Sequence, residues 1–266
     1  MQMQPHPASV KAALVADRFL PEFQDRIRNE VHWPNEVLER FSREPHLADL
    51  CIAASSYTRR TLIENGLSSD RVSVIPYGVD LEFFCAADFQ QQEKFSVLFV
   101  GQLCRQKGLH YLLEAWRRLA LPNAELRIVG RRPDNAVISR YAQAARFLGP
   151  LDWLELCEEY RRADLLCLPS LSEGFGQVIL EALACGTPVL TTNSCGASDL
   201  IVHEQNGFVI PAANLDALIA TLRSASQHRD RLREMRAAAR ATAEQYPWTR
   251  FRRSLVKTLR SITADV

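Results

Sequence analysis

Asp164-Leu-Leu-Cys-Leu168 runs into Pro169-Ser-Leu-Ser-Glu173-Gly174-Phe175-Gly176-Gln177-Val178-Ile-Leu-Glu181-Ala-Leu-Ala-Cys-Gly186-Thr187, which is followed by Pro188-Val-Leu-Thr-Thr192. The two outer runs read as strands that are apolar on both faces. Between them a glycine-rich loop precedes a stretch whose spacing predicts a helix over about 176–184. A strand, helix and strand of this kind belong to a parallel sheet covered on both sides.

The alternation continues outward from this unit. Residues 95–100 read as a strand, 109–119 as a helix with apolar residues at i, i+3 and i+4, and 125–129 as a strand. A helix near 134–145, a short strand at 146–148 and a helix over 153–161 complete the pattern, which predicts a doubly wound, Rossmann-like domain. Upstream, 49–54 and 71–75 read as strands flanking a helix over 56–65, and 10–45 reads as mainly helical and charged. That is too little for a second complete domain of this type, which takes roughly 150 residues. The expected fold class is therefore α/β, with one complete Rossmann-like domain and an incomplete N-terminal α/β portion. The divisions are 1–94, with a linker over 80–94; 95–247; and a C-terminal helix within 248–266. Beyond residue 210 the pattern predicts helices at 214–226, 229–244 and 249–262.

Composition sets bounds on partners and location. Of 266 residues, 47% are hydrophobic and 24% charged, and the formal net charge of +1 gives no reason to expect nucleic acid. The seven cysteines are odd in number, contain no C-x-x-C pair and mostly sit in apolar runs, which points to reduced thiols packed as small hydrophobes. No apolar run reaches about 18 residues, and the N-terminus lacks the basic start and apolar stretch of a signal peptide. A cytoplasmic protein is expected, with peripheral membrane contact as an option for the basic helix at 249–262. That helix carries Arg250, Arg252, Arg253, Lys257 and Arg260 beside Phe251, Leu255, Val256 and Leu259. Packing of its apolar stripe on the protein is the favoured reading over a lipid surface.

Two stretches can carry chemistry. Gly101-Gln-Leu-Cys-Arg105-Gln-Lys107-Gly108 follows a strand and opens a helix, so it lies at the carboxyl edge of the sheet, where helix N–H groups attract anions. Lys107 adds a point charge suited to a diphosphate. The G-K-[ST] ending of a P-loop is missing, and an ordinary strand–helix turn fits the spacing equally well. In the second stretch, Glu173 sits in the glycine-flanked loop and Glu181 lies eight residues on, in the helix. Glu173 can cap that helix while Glu181 faces water. Against that, Ile179, Leu180, Ala182, Leu183 and Ala184 surround Glu181, an unusual setting for a solvated carboxylate.

Glu173 and Glu181 also frame a motif that resembles the E-x7-E of retaining GT-B glycosyltransferases, in the form found in glycosyltransferase family 4. The flanking Pro169-Ser170, Glu-Gly-Phe-Gly and Glu-Ala-Leu-Ala-Cys-Gly-Thr-Pro-Val match as well. So do the G-x-L-x-x-x-K-G loop at 101–108, Leu126-Arg-Ile-Val-Gly130, Phe147-Leu-Gly-Pro-Leu151, Tyr160-Arg-Arg-Ala-Asp164, Ile75-Pro-Tyr-Gly-Val-Asp80 and Ser55-Ser-Tyr-Thr58. The resemblance runs from about 47 to 251. It implies transfer of a sugar from a nucleotide-sugar donor to an acceptor with retention of anomeric configuration. Lys107 would contact the diphosphate, Glu173 the hydroxyls of the transferred sugar, and Glu181 the ribose. Backbone groups of Phe175, Gly176, Gln177 and Val178 would face sugar and phosphates. Gly101 would belong to the phosphate loop, and Gly130 and Leu151 would border the base. Lys107 and Glu173 are the residues expected at the chemistry. No Asp-x-Asp pair is present, so no metal and no cofactor beyond the donor itself is expected.

Two departures from the family pattern stand out. Gln102 occupies a position where many relatives carry a diphosphate-binding arginine, so either Arg105 substitutes for it or donor affinity is weaker. The acceptor-side domain is shortened, and His6, His32 and His46 map onto no family histidine and read as surface residues. The alternative to a transferase is therefore a non-catalytic or truncated nucleotide-sugar-binding module that needs a partner chain for activity, and the incomplete portion also offers an edge for a partner chain or for self-association. A GT-B epimerase or phosphorylase fits the glutamate context less well.

Overall fold

The computed structural model describes residues 2–17, 19, 35–87, 92–131, 139–141 and 143–264. His32, half of the expected helix near 134–145, part of the linker and part of the charged stretch before residue 45 lie outside the described residues. The N-terminal portion contains β1 (Gln2–Met3), α1 (Pro7–Ala16), α2 (Asn35–Leu47), β2 (Cys51–Ala53), α3 (Ser56–Glu64) and β3 (Val72–Val74). Its sheet is parallel, in the order β1-β2-β3. The larger portion begins with β4 (Phe95–Val100), α4 (Leu109–Leu119), β5 (Ala124–Val129), β6 (Arg146–Gly149), α5 (Trp153–Arg162), β7 (Leu165–Leu168), α6 (Gln177–Ala184) and β8 (Val189–Thr192). It continues through β9 (Gly207–Ile210), α7 (Leu215–Gln227), α8 (Arg229–Glu244) and α9 (Trp248–Ala264).

The larger sheet is parallel throughout, in the order β6-β5-β4-β7-β8-β9. Every residue of β4, β7 and β8 is buried, as a sheet covered by helices on both faces requires. The chain winds outward from β4 through β5 to β6, then crosses back to β7 and winds the other way. The reversal point lies between the adjacent strands β4 and β7.

The Rossmann-like α/β reading holds, with two strands added. The sequence pattern places no strand at β9. In the fold Gly207 starts a strand because the backbones touch: a Cβ there would lie 2.2 Å from the Val189 carbonyl oxygen. β1 is defined only by pairing with β2, Gln2 opposite Ile52 and Met3 opposite Ala53. His6 departs from the surface reading. It is 5% exposed, its Nδ1 accepts from Ala8 N at 3.2 Å to cap α1, and its backbone N donates to Thr61 Oγ1 at 3.0 Å. The expected packing of the C-terminal helix is seen at its start, where Trp248 and Phe251 meet the ring of Tyr77. Farther along, Val256 and Leu259 are exposed.

A buried polar cluster joins the two portions. Asp17, just past α1, receives Arg105 Nη2 at 2.6 Å, His110 Nε2 at 2.9 Å, Tyr111 Oη at 2.9 Å and Phe19 N at 3.1 Å. Burial opposes ionisation of this carboxylate, but the hydrogen bonds from His110, Arg105 and Tyr111 outweigh it and hold the pKa at about 2. Asp17→Asn leaves the Arg105 guanidinium buried without its counter-charge, which costs about 3 kcal/mol of stability. Urea denaturation at neutral pH measures that loss. Because the folded pKa is depressed from 3.8, the contribution is present above about pH 4 and disappears as pH falls through about 2. The mutant's stability curve is accordingly flatter across that acid window.

Candidate functional site

The loops leaving β4 and β7 at their carboxyl ends are the two that the sequence singles out, and the strand order makes them neighbours. Ligands of doubly wound sheets bind in the crevice outside such a reversal point. The loops are stitched together directly: Leu171 N donates to Gln106 O at 2.8 Å, and Gln106 Nε2 donates to Ser172 O at 2.9 Å. Gly108 permits the contact. Its φ is +70°, and a Cβ there would sit 1.9 Å from the Pro169 carbonyl oxygen.

Lys107 and Glu173 meet at this junction in a direct Nζ–Oε2 ion pair, with side-chain exposures of 19% and 12%. Burial works against the Lys107 ammonium, yet the Glu173 carboxylate beside it holds its pKa above the ordinary lysine value. Glu173 is fixed by its own backbone, which pairs with the segment after β8: Glu173 N donates to Ser194 O and Gly196 N donates to Glu173 O, both at 2.9 Å. The N-termini of α4 and α6 open beside this pair with glycine at the N-cap, Gly108 and Gly176, and neither has a side-chain cap. Helix starts of this kind carry the positive end of the helix dipole, which favours anions.

Glu181 lies in the second turn of α6, which begins at Gln177. It is 6% exposed and accepts from Tyr160 Oη on α5 at 2.8 Å. Burial raises its carboxyl above the ordinary range, against the Tyr160 hydrogen bond, which favours the ionised form. Gly101 and Gly130 close the ends of β4 and β5. A Cβ on Gly130 would lie 2.1 Å from the Gly101 carbonyl oxygen, so the two loop starts are pressed together. Leu151 is half-buried just before α5, and Val178 is half-buried at the start of α6. Phe175 is buried, its ring edge-on to Tyr77 at 5.1 Å, and its carbonyl accepts from Ala197 N at 2.6 Å. The Gln177 side chain donates to Gly78 O at 2.7 Å, between the two portions.

Arg105 requires a correction. It was expected to reach a diphosphate in place of an arginine at position 102. Its guanidinium is instead 4% exposed and committed to Asp17, while Gln102 is exposed. A long-range carboxylate captures it because a buried guanidinium must be paired. Of the two cations in this loop, Lys107 is the one at the junction.

Residues of the N-terminal portion also reach this site, which sequence reasoning did not foresee. Ser55 Oγ and Thr58 Oγ1 both donate to Gly174 O, at 2.6 and 3.0 Å, and Tyr57 Oη bonds Ser172 Oγ at 2.8 Å. Ser56 adds two bonds to Asp199, from N at 2.7 Å and from Oγ at 2.5 Å. The start of α3 is thus clamped over the Glu173 loop. The signal for this was the Ser-Ser-Tyr-Thr stretch itself, a run of hydroxyls at a helix start whose partners are more than 100 residues away.

The family model for glycosyl transferases group 1 matches residues 86–242, more than half of the chain and all of the junction just described. Glycogen synthase of Mycobacterium tuberculosis is 32% identical over 216 residues, covering 77% of this chain and 52% of that protein. This chain therefore spans about half the length of that curated relative. Among solved structures, sucrose-phosphate synthase from Thermosynechococcus elongatus superposes with a TM-score of 0.78 at 21% identity, covering 100% of this chain and 68% of that one. The Anabaena protein Alr3699/HepE in complex with UDP-glucose superposes with a TM-score of 0.72 at 21% identity, covering 98% of this chain and 78% of that one. Among the described residues, no helix is long and apolar enough to cross a membrane.

Proposed function

The chain belongs to the glycosyl transferases group 1 family, and from that premise we propose that the Lys107–Glu173 junction binds a nucleotide sugar and transfers its sugar with retention of configuration. The observation that carries this reading is the placement of an ammonium, a carboxylate and two uncapped helix starts at the reversal point of one parallel sheet. Departure of a nucleoside diphosphate builds negative charge on its phosphate oxygens. Lys107, once the bound diphosphate has drawn it from Glu173, and the N–H groups opening α4 and α6 are donors already in place for that charge as it develops. With Lys107 in that role and no Asp-x-Asp pair in the chain, the reaction proceeds without a metal.

Glu173 accepts hydroxyls of the sugar once the phosphates have drawn Lys107 away, and Glu181 accepts those of the ribose. The loop backbone at 175–178 lines the sugar side, with Gly130 and Leu151 on the base side. The solved complex of a protein of this fold with UDP-glucose supports a nucleotide sugar as the donor class. Attack from the face the diphosphate leaves retains configuration and calls for no covalent nucleophile from the chain.

The test is to incubate the purified chain with a panel of nucleotide sugars, measuring nucleoside diphosphate release and the anomeric configuration of the product by NMR. Release with a retained anomer is expected. Binding of a donor with no release, under all acceptors supplied, would instead make the chain a donor-binding module. Inverted product would overturn the stereochemical assignment.

A further inference from the structure

Three of the cysteines, unused by the site chemistry above, gather behind Glu181. Cys157 on α5 and Cys185 at the end of α6 face each other with sulfurs 3.7 Å apart. Arg161, one turn after Cys157, donates from Nη2 to Cys85 Sγ and from Nε to Cys85 O, both at 2.8 Å. A surface groove of about 520 Å³ reaches this cluster, lined by Glu82, Phe83, Cys85, Leu154, Cys157 and Arg161. Cys157 lines the groove although it is 3% exposed, and the fully buried Cys185 touches Cys157 without lining the groove. The segments that carry the two cysteines both reach Glu181. Tyr160, three positions after Cys157, donates to Glu181 Oε2, and Cys185 N donates to Glu181 O at 3.1 Å.

We propose that Cys157 and Cys185 are a peroxide-oxidisable pair whose reversible disulfide staples α5 to α6 behind Glu181 and weakens nucleotide binding. A hydroperoxide entering the groove is attacked by the Cys157 sulfur. An S–O bond forms, the O–O bond breaks, and water or an alcohol leaves, giving a sulfenic acid. The Cys185 sulfur then attacks the Cys157 sulfur, and the oxygen departs as water with the Cys185 proton. The two thiols supply the two electrons that reduce the peroxide. The Arg161 guanidinium, one helical turn from Cys157 and held by Cys85 and Glu158, supplies positive charge at the groove.

Bonding brings the sulfurs from 3.7 Å to about 2.05 Å, and what side-chain rotation does not supply of that closure is met by approach of α5 and α6. The Tyr160–Glu181 hydrogen bond spans the same pair of helices and absorbs that movement. Disulfides are rare where thiol reductants prevail, and in such a setting a bond at this position is transient and reports oxidant.

The effect on nucleotide rests on the donor-site reading, whereas formation of the bond does not. Reduced protein is treated with hydrogen peroxide, its free thiols are blocked and its peptides are mapped. UDP affinity is measured by calorimetry before treatment, after it, and after dithiothreitol. A Cys157–Cys185 cross-link is expected, with UDP affinity lowered at least about fivefold and restored by reduction. Cys185→Ser and, independently, Cys157→Ser should bind UDP as the reduced parent does and lose the response to peroxide. Thiols that stay free, a cross-link through Cys85 instead, or a Cys157–Cys185 bond that leaves UDP affinity unchanged would each overturn the proposal. Reduced protein that binds no UDP would sink the donor-site reading, while the peptide map would still decide whether the pair oxidises.

Discussion

Lys107→Ala lowers affinity for a nucleoside diphosphate by about 100-fold or more and leaves affinity for the bare nucleoside unchanged. The split follows from what the side chain faces. Lys107 Nζ is the cation of the junction between the β4 and β7 loops, 19% exposed, and its partner there is Glu173. Removing it deletes a charge-assisted bond to phosphate, worth roughly 1.5–3 kcal/mol. It also leaves the Glu173 carboxylate, 12% exposed, unpaired beside the incoming diphosphate. Repulsion then adds to the lost attraction. Calorimetric titrations with UDP and with uridine check both halves. Equal losses for the two ligands would mean that Lys107 supports the fold of the loop and does not meet phosphate.

The central sheet was readable because each local signal agreed with the global fold. The helix predicted over 109–119 is observed as Leu109–Leu119, and the strand predicted over 95–100 as Phe95–Val100. Such segments carry their periodicity and their end signals within the chain. What was not readable depends on partners distant in sequence. Asp17 lies 88 residues before Arg105, and nothing local to either predicts that they will pair. The same distance hid the burial of His6, whose backbone partner is Thr61, and the clamp of Ser55 and Thr58 on Gly174. At the site, the motif order singled out Lys107 and Glu173 as candidates. It did not indicate that they bond each other, because that contact depends on the strand order β4-β7, a property of the sheet. The thiol pair was hidden for a related reason: a cysteine in an apolar run reads as a small hydrophobe until the helix carrying its neighbour is packed against it.

Glu173→Gln separates the two ligands of the site in opposite directions. In the free protein the Lys107 ammonium is already engaged by Glu173, so a diphosphate must displace that carboxylate before it gains the cation. The amide occupies nearly the same volume and carries no charge. Lys107 is then released, and the variant binds UDP about five- to tenfold more tightly than the parent. The pair is largely buried, so solvent screening removes only part of this effect. The sugar tells the other half. A hydroxyl that donated to a carboxylate now meets a weaker acceptor, and the added affinity of a nucleotide sugar over its diphosphate shrinks or vanishes. Transfer falls roughly a hundredfold or more, because a group aimed at the reacting sugar has lost its charge while the leaving-group site is intact. Lys107→Ala weakens both ligands, whereas Glu173→Gln tightens one and loses its preference for the other. Side-by-side calorimetry with UDP and UDP-glucose distinguishes them. Weaker UDP binding by Glu173→Gln would show that Glu173 orders the phosphate site instead of competing with phosphate for Lys107.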